Sequence, residues 1–291
     1  MTVFNFLAQN SGAFLLLATL IGLIIGSFLN VVIHRLPKMM EQQWHQDCDE
    51  LKGLSQTESA ETETYNLNTP TSHCPNCQHK IRPWENIPVV SWLVLKGRCS
   101  NCQNPISVRY PIIEAVTGLL SFWIAFHFGF TWETLAALIL TWSLVALTMI
   151  DFDVQLLPDN ITLPILWLGL LINLGDLFTD INSAVIGAAA GYMALWSVYQ
   201  LFKRLTGKEG MGYGDFKLLA LLGAWLGWQY LPQIILLSAL VGAVVGILLI
   251  VVRGRDRNIP IPFGPYLAAA GWISLMWGEQ INQAYIHWSG L

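Results

Sequence analysis

Apolar residues run through this chain in long stretches rather than in short alternations. Eight stretches read as membrane-spanning helices: residues 11–33, 111–129, 133–150, 161–178, 183–202, 216–230, 232–252 and 263–281. A helix crosses the hydrocarbon layer with about 20 mainly apolar residues. The sixth stretch is the shortest, and its Gly223, Ala224 and Gly227 suit close helix packing equally well. One long polar segment, 34–110, follows the first stretch. Its part 41–72 sets Glu41, Asp47, Asp49, Glu50, Glu58, Glu61 and Glu63 among Gln, Ser and Thr. So few apolar residues cannot bury a core, so this part reads as a solvated linker. The pattern predicts an all-α polytopic membrane protein in three parts: a first spanning helix (1–33), a polar insert (34–110), and a membrane body of seven further spans (111–291).

Composition supports that reading. Of 291 residues, 54% are hydrophobic and 12% charged, where soluble domains carry about 25% charged residues. The first residues lack a basic region and the first apolar run is long enough to span, so no cleavable signal is expected. A net charge of −4 argues against nucleic acid as a partner. The 15 basic residues fall in three connections: Arg35 to Arg109, Lys203 to Lys217, and Arg253 to Arg257. With eight spans all three lie on one side, and basic loops stay cytoplasmic. Both termini are therefore expected on the periplasmic side.

Cysteine spacing adds chemistry to the insert. Cys74 and Cys77 form one C-x-x-C, Cys99 and Cys102 another, with 21 residues between the pairs. Two such turns complete a tetrahedral four-thiolate site, which predicts a structural zinc-ribbon-like module over 73–104. Two disulfides are the alternative, disfavoured where thiols are kept reduced. A closed set of four cysteines leaves His73 and His79 as ordinary surface residues, and gives the isolated Cys48 no role. His127 and His287, near predicted helix ends, read as interfacial packing residues.

The third candidate is a group of carboxylates. Asp151, Asp153 and Asp159 lie in "IDFDVQLLPD" at the end of one span, and "GMGYGDFK" delivers Asp215 to the start of another, on the same predicted side. Ionisable groups at membrane depth are costly and usually functional. A pair of aspartates can divide acid and base roles, and glycines before Asp215 would let a substrate backbone approach. The glycine run lacks the spacing and Lys-Ser/Thr ending of a P-loop, and no strand precedes it. An aspartyl protease, a proton-coupled transporter and a structural cap, for which Asp159 is placed, all fit these residues.

Here the sequence closely resembles the bacterial type IV prepilin peptidases, the prepilin leader peptidase/N-methyltransferases. The resemblance runs over nearly the whole chain and rests on "GSFLNVVIHRLP", both cysteine pairs, "NIPVVSWLVLKGRC", "RYPIIE", "DFDVQLLPD" and "GYGDFK". It implies a bifunctional inner-membrane enzyme with its active site facing the cytoplasm. Such an enzyme cleaves the leader from type IV prepilins and type II secretion pseudopilins, then methylates the new N-terminal amine with S-adenosylmethionine. By motif position the resemblance makes Asp151 and Asp215 the protease pair. It ties Gly97 to methyl transfer and matches Cys74, Cys77, Cys99 and Cys102 to a cytoplasmic cysteine cluster. A proton-coupled transporter and a non-enzymatic assembly protein that docks a partner through its zinc module are the rival classes.

Overall fold

The computed structural model describes residues 3–52, 65–253 and 261–289. The middle of the polar linker, with Glu58, Glu61 and Glu63, and the basic Arg255 and Arg257 lie outside the described residues. The chain divides into two compact units, Met1–Phe130 and Thr131–Leu291.

In the first unit a short helix, α1 (Val3–Gln9), leads into α2 (Ser11–Leu51). α2 continues well past the predicted end near residue 33, through Pro37. Proline removes only one helical hydrogen bond, and the following Lys, Met, Glu and Gln residues are good helix formers. Residues 41–51 are therefore helical rather than irregular, and they are solvent-exposed. At 41 residues α2 is roughly 60 Å long. Its apolar half turns Leu16, Leu20, Ile24 and Phe28 outward and buries Gly22, Gly26 and Leu29. The buried glycines receive α4 (Arg109–Phe128): a Cβ on Gly26 would lie 2.8 Å from the Glu114 Cα. Between α2 and α4 the described chain holds a 3-10 turn (Pro83–Asn86), a five-residue helix, α3 (Val90–Val94), and isolated bridges in place of strands. Arg35, buried on α2, anchors the returning chain. Its Nη1 donates to the Asn66 carbonyl at 3.0 Å and the Leu67 carbonyl at 3.4 Å.

The second unit contains α5 (Trp132–Val154), α6 (Asp159–Ile172), α7 (Ile181–Thr206), α8 (Tyr213–Leu226), α9 (Leu231–Arg253) and α10 (Gly264–Ser289). The sequence's ambiguous sixth stretch is α8, and it is the core of this unit. From Asp215 to Gly227 every residue except Lys217 is buried. Close packing makes this possible. Gly187 of α7 and Gly223 of α8 meet backbone to backbone, and a Cβ on Gly191 would lie 2.7 Å from the Leu219 carbonyl oxygen. Asn173, fully buried after α6, closes the far end of α8. Its Nδ2 donates to the Ala224 and Trp225 carbonyls, both at 3.0 Å, and its Oδ1 accepts from Phe178 and Thr179 N–H.

Each predicted apolar stretch falls on a helix, and α2, α4, α5, α7 and Trp228–Val252 are long and apolar enough to cross a membrane. α6 and α8, at 14 residues each, extend only about 21 Å. α10 has 26 residues but breaks helical geometry at Trp277. The protein is an all-helical, multi-pass membrane protein.

Candidate functional site

The first unit brings the four cysteines together. Their sulfurs all lie within 4.8 Å of one another. Cys74 Sγ is 3.8 Å from Cys102 Sγ, and Cys77 Sγ is 4.0 Å from Cys99 Sγ. With a metal–sulfur bond of about 2.3 Å, a tetrahedron has edges of about 3.8 Å, so the donor set fits a thiolate-bound tetrahedral ion. None of the cysteines is disulfide-bonded, and Cys48 is exposed on α2 away from the cluster. Neither histidine belongs to the cluster: His73 Nδ1 contacts the Thr71 carbonyl at 2.9 Å, and His79 sits 3.5 Å from Glu85.

The two cysteine turns are one structure used twice, at an offset of 25 residues. Cys74 N–H donates to His79 O as Cys99 N–H does to Asn104 O. Gln78 N–H returns to Cys74 O as Gln103 N–H does to Cys99 O, and Ile81 N–H reaches Ser72 O as Ile106 N–H reaches Gly97 O. Gln78 and Gln103 share the same left-handed backbone, φ 58° and 59°. The legible signal was C-x-N-C-Q, present in both turns. Its asparagines cross over. Asn76 Nδ2 lies 3.7 Å from Cys102 Sγ, and Asn101 Nδ2 lies 3.6 Å from Cys77 Sγ. Each turn thus donates a side-chain amide to the second thiolate of the other. The Asn104 backbone first, and Asn76 next, hold the Cys102 thiol down to about 6.

Gly97 occupies the place of Ser72 in the second turn, with φ +68°. The indole of Trp92 covers it, 2.8 Å from where a Cβ would stand, and Trp92 Nε1 donates to Ile106 O at 3.2 Å. Here only glycine combines the left-handed backbone with the missing side chain.

In the second unit three helix ends meet. Asp151 lies in the last turn of α5, Asp215 in the first turn of α8, and Gly264 opens α10. Both carboxylates are buried, at 5% and 7% exposure, and close enough to interact electrostatically. Asp151 Oδ2 accepts the Gly264 N–H at 3.1 Å. A Cβ on Gly264 would stand 2.6 Å from that oxygen, so glycine is the residue that lets α10 reach it. Leu157 fills the space between Gly214 and Gly264. The three glycines of "GMGYGD" divide their work: Gly210 lies against Phe202 and Gly214 against Leu157. Gly212 faces open space, with Asp215 Oδ2 its nearest side-chain atom at 4.0 Å. The loop is tied to α7 by Lys203, which donates to Glu209 at 2.7 Å and to Tyr199 Oη at 3.3 Å.

Asp153 and Asp159 stay outside this pair. Asp153 is exposed. Asp159 is the first residue of α6, after Pro158 at the N-cap, and both its oxygens lie 2.7 Å from Lys217 Nζ. Lys217 is far from Asp159 in sequence, which hid this pairing.

Residues 20–128 match the family model described as the bacterial peptidase A24 N-terminal domain, and residues 138–247 match the type IV leader peptidase family. The chain is 56% identical over 290 residues to the prepilin leader peptidase/N-methyltransferase of Pseudomonas aeruginosa, covering 100% of this chain and 99% of that one. It is 58% identical over 270 residues to the protein of the same name in Aeromonas hydrophila, 93% of each chain. The chain belongs to the type IV leader peptidase family. A more distant member, from Legionella pneumophila, is 45% identical over 271 residues, 93% of this chain and 94% of its own. No solved structure matches the chain. The two matched regions of this family member separate the two sites: the cysteine cluster and Gly97 fall in the first, Asp151 and Asp215 in the second.

Proposed function

We propose that this protein is an inner-membrane enzyme that removes the leader peptide from type IV prepilins and type II secretion pseudopilins. It then methylates the exposed N-terminal amine with S-adenosylmethionine as methyl donor. The observation that carries the protease half is a pair of buried carboxylates, Asp151 and Asp215, at neighbouring helix ends bridged by Leu157, with the side-chain-free backbone of Gly212 beside Asp215. The pair works with one proton between its carboxylates. The ionised aspartate takes a proton from water as the water oxygen attacks the scissile carbonyl, and the protonated one donates to the developing oxyanion. Collapse of the tetrahedral intermediate returns a proton to the leaving amine. The Gly264 N–H holds Asp151 in place, and Gly212 leaves room for an extended substrate backbone.

Zinc is the ion that Cys74, Cys77, Cys99 and Cys102 would hold, in a closed structural site. It supplies a cross-link that fixes the two turns and does not touch substrate. Methyl transfer belongs to the segment around Gly97. The basic connections face the cytoplasm, both termini face the periplasm and eight helices cross the membrane, with α6, α8 and α10 completing the five long spans. The test is incubation of purified protein with a synthetic prepilin N-terminus, with and without S-adenosylmethionine. Loss of the leader mass supports the protease, and a further methyl mass supports the second activity. An unchanged peptide under both conditions overturns the reading.

A further inference from the structure

The stretch from Trp84 to Val94 inverts the rule for a soluble module. α3 presents Val90, Leu93 and Val94, positions i, i+3 and i+4, at 54%, 61% and 73% exposure, while its Trp92 turns inward onto Gly97. Trp84 and Ile87 just before it are exposed as well, at 61% and 46%. Soluble surfaces rarely gather so many large apolar side chains in one place.

The rim of this patch is basic. Between Gln78 and Ile112 the chain carries five basic residues and one acidic residue. Lys80, Arg82, Lys96 and Arg98 are exposed, and the guanidinium of Arg82 lies 5.5 Å over the Trp84 ring. The one acid, Glu85, is engaged by the Arg82 N–H at 2.9 Å.

The depth of the patch can be read from α2 and α4. The Val89 N–H, immediately before α3, donates to Glu114 Oε2 at 2.7 Å. Glu114 is the sixth residue of α4 and packs at the level of Gly26 on α2. Gly26 lies seven residues before Ile33, the last apolar residue before His34 and Arg35. At 1.5 Å per residue it is about 10 Å inside the end of the apolar run. Val89 is a β-branched residue held at φ +61°, a conformation that persists only where its surroundings impose it. The bond from Glu114 ties this strained point to a level within about 10 Å of the edge of the hydrocarbon.

We infer that residues 84–94 form a membrane-seated anchor: Trp84, Val90, Leu93 and Val94 rest in the boundary between acyl chains and headgroups, and the basic rim contacts anionic lipid phosphates. The lipid-facing surface of α2 and α4 continues directly into this patch, through exposed Val108, Tyr110 and Ile112. Aromatic and basic residues beside an apolar face are the features by which a segment lies in an interface. The cysteine module is thereby held against the bilayer surface rather than carried free on a stalk, and Gly97 is fixed at that level. This inference rests on the spanning helices and not on the activity proposed above.

The experiment uses the full chain in liposomes of mixed phosphatidylglycerol and phosphatidylethanolamine. A photo-reactive benzophenone amino acid replaces Leu93 or Val94 in turn, with Leu240 of α9 as a lipid-exposed reference and Ser100 of the second cysteine turn as a water-exposed one. Mass spectrometry after illumination should find lipid adducts at positions 93 and 94 with yields near that at 240 and well above that at 100. In pure phosphatidylcholine the yields at 93 and 94 should fall severalfold while that at 240 holds. Yields at 93 and 94 no higher than at 100, or cross-links there to protein instead of lipid, would overturn the anchor. Yields indifferent to headgroup charge would overturn the role of the basic rim. If position 93 does not tolerate the probe, position 94 and a probe at Trp84 read the same surface.

Discussion

Replacing Gly264 by alanine adds one methyl group to the most constrained point of the carboxylate site. The new Cβ would stand 2.6 Å from Asp151 Oδ2, 3.2 Å from its Cγ and 3.2 Å from Leu157 Cδ1. Ordinary contact begins near 3.4 Å, so the carboxylate must withdraw by roughly 0.8 Å, and a displacement of about 1 Å in a reacting geometry costs on the order of 100-fold in rate. That corresponds to about 2.7 kcal/mol in the barrier. The backbone N–H survives in alanine, so the loss measures position rather than a deleted hydrogen bond. Overpacking a core costs typically 1–3 kcal/mol in stability, and the membrane abundance of the variant must therefore be measured alongside. The assay is the initial rate of leader removal from a prepilin peptide, normalised to inserted protein. A stably inserted Gly264→Ala enzyme that cleaves within about twofold of the parent would refute the positioning argument, since a carboxylate that tolerates such a shift is not held to a reacting geometry.

Gly97→Val should abolish methylation and leave leader cleavage intact, because valine meets the Trp92 ring at 2.8 Å on a backbone it cannot readily adopt; methyl mass on a pre-cleaved peptide reads this directly. Asn76→Asp and Asn101→Asp should each weaken metal retention by roughly 10- to 100-fold in chelator competition, and more than Asn→Ala does. The carboxylate keeps the shape but replaces a donor to sulfur with a negative charge. Equal retention by parent and variants would show that the crossed amides carry no weight. A topology reporter fused after Leu291 should read periplasmic and one near Lys208 cytoplasmic; a cytoplasmic C-terminus breaks the eight-helix arrangement.

The helices were legible because long apolar runs admit few other structures, and the cysteine cluster because C-x-x-C turns carry their own geometry. What stayed hidden depended on contacts between distant residues. Gly264 reaches Asp151 across 113 positions through a backbone N–H, a group every residue but proline possesses. Lys217 meets Asp159 across 58. Sequence alone could not choose between span and packing helix for α8, since burial among helices and burial in lipid select the same side chains. The glycines that let α8 pack so closely, Gly187 and Gly223, become a signal only once paired. The continuation of α2 past residue 33 was hidden because the apolar run that marks the span ends there, while the helix-forming polar residues that follow carry the same helix on without it.

The central claim is that Asp151 and Asp215 act as one catalytic pair. Its most direct test is prepilin processing by Asp151→Asn, Asp215→Asn and the double variant, with Asp153→Asn and Asp159→Asn for comparison. An amide can neither accept nor supply the proton, and members of a cooperating pair lose nearly as much singly as together. Each single variant of the pair should therefore abolish cleavage as completely as the double variant, while the Asp153 and Asp159 variants keep substantial activity and all insert at parental levels. Full processing by a stably inserted Asp215→Asn protein would contradict the mechanism.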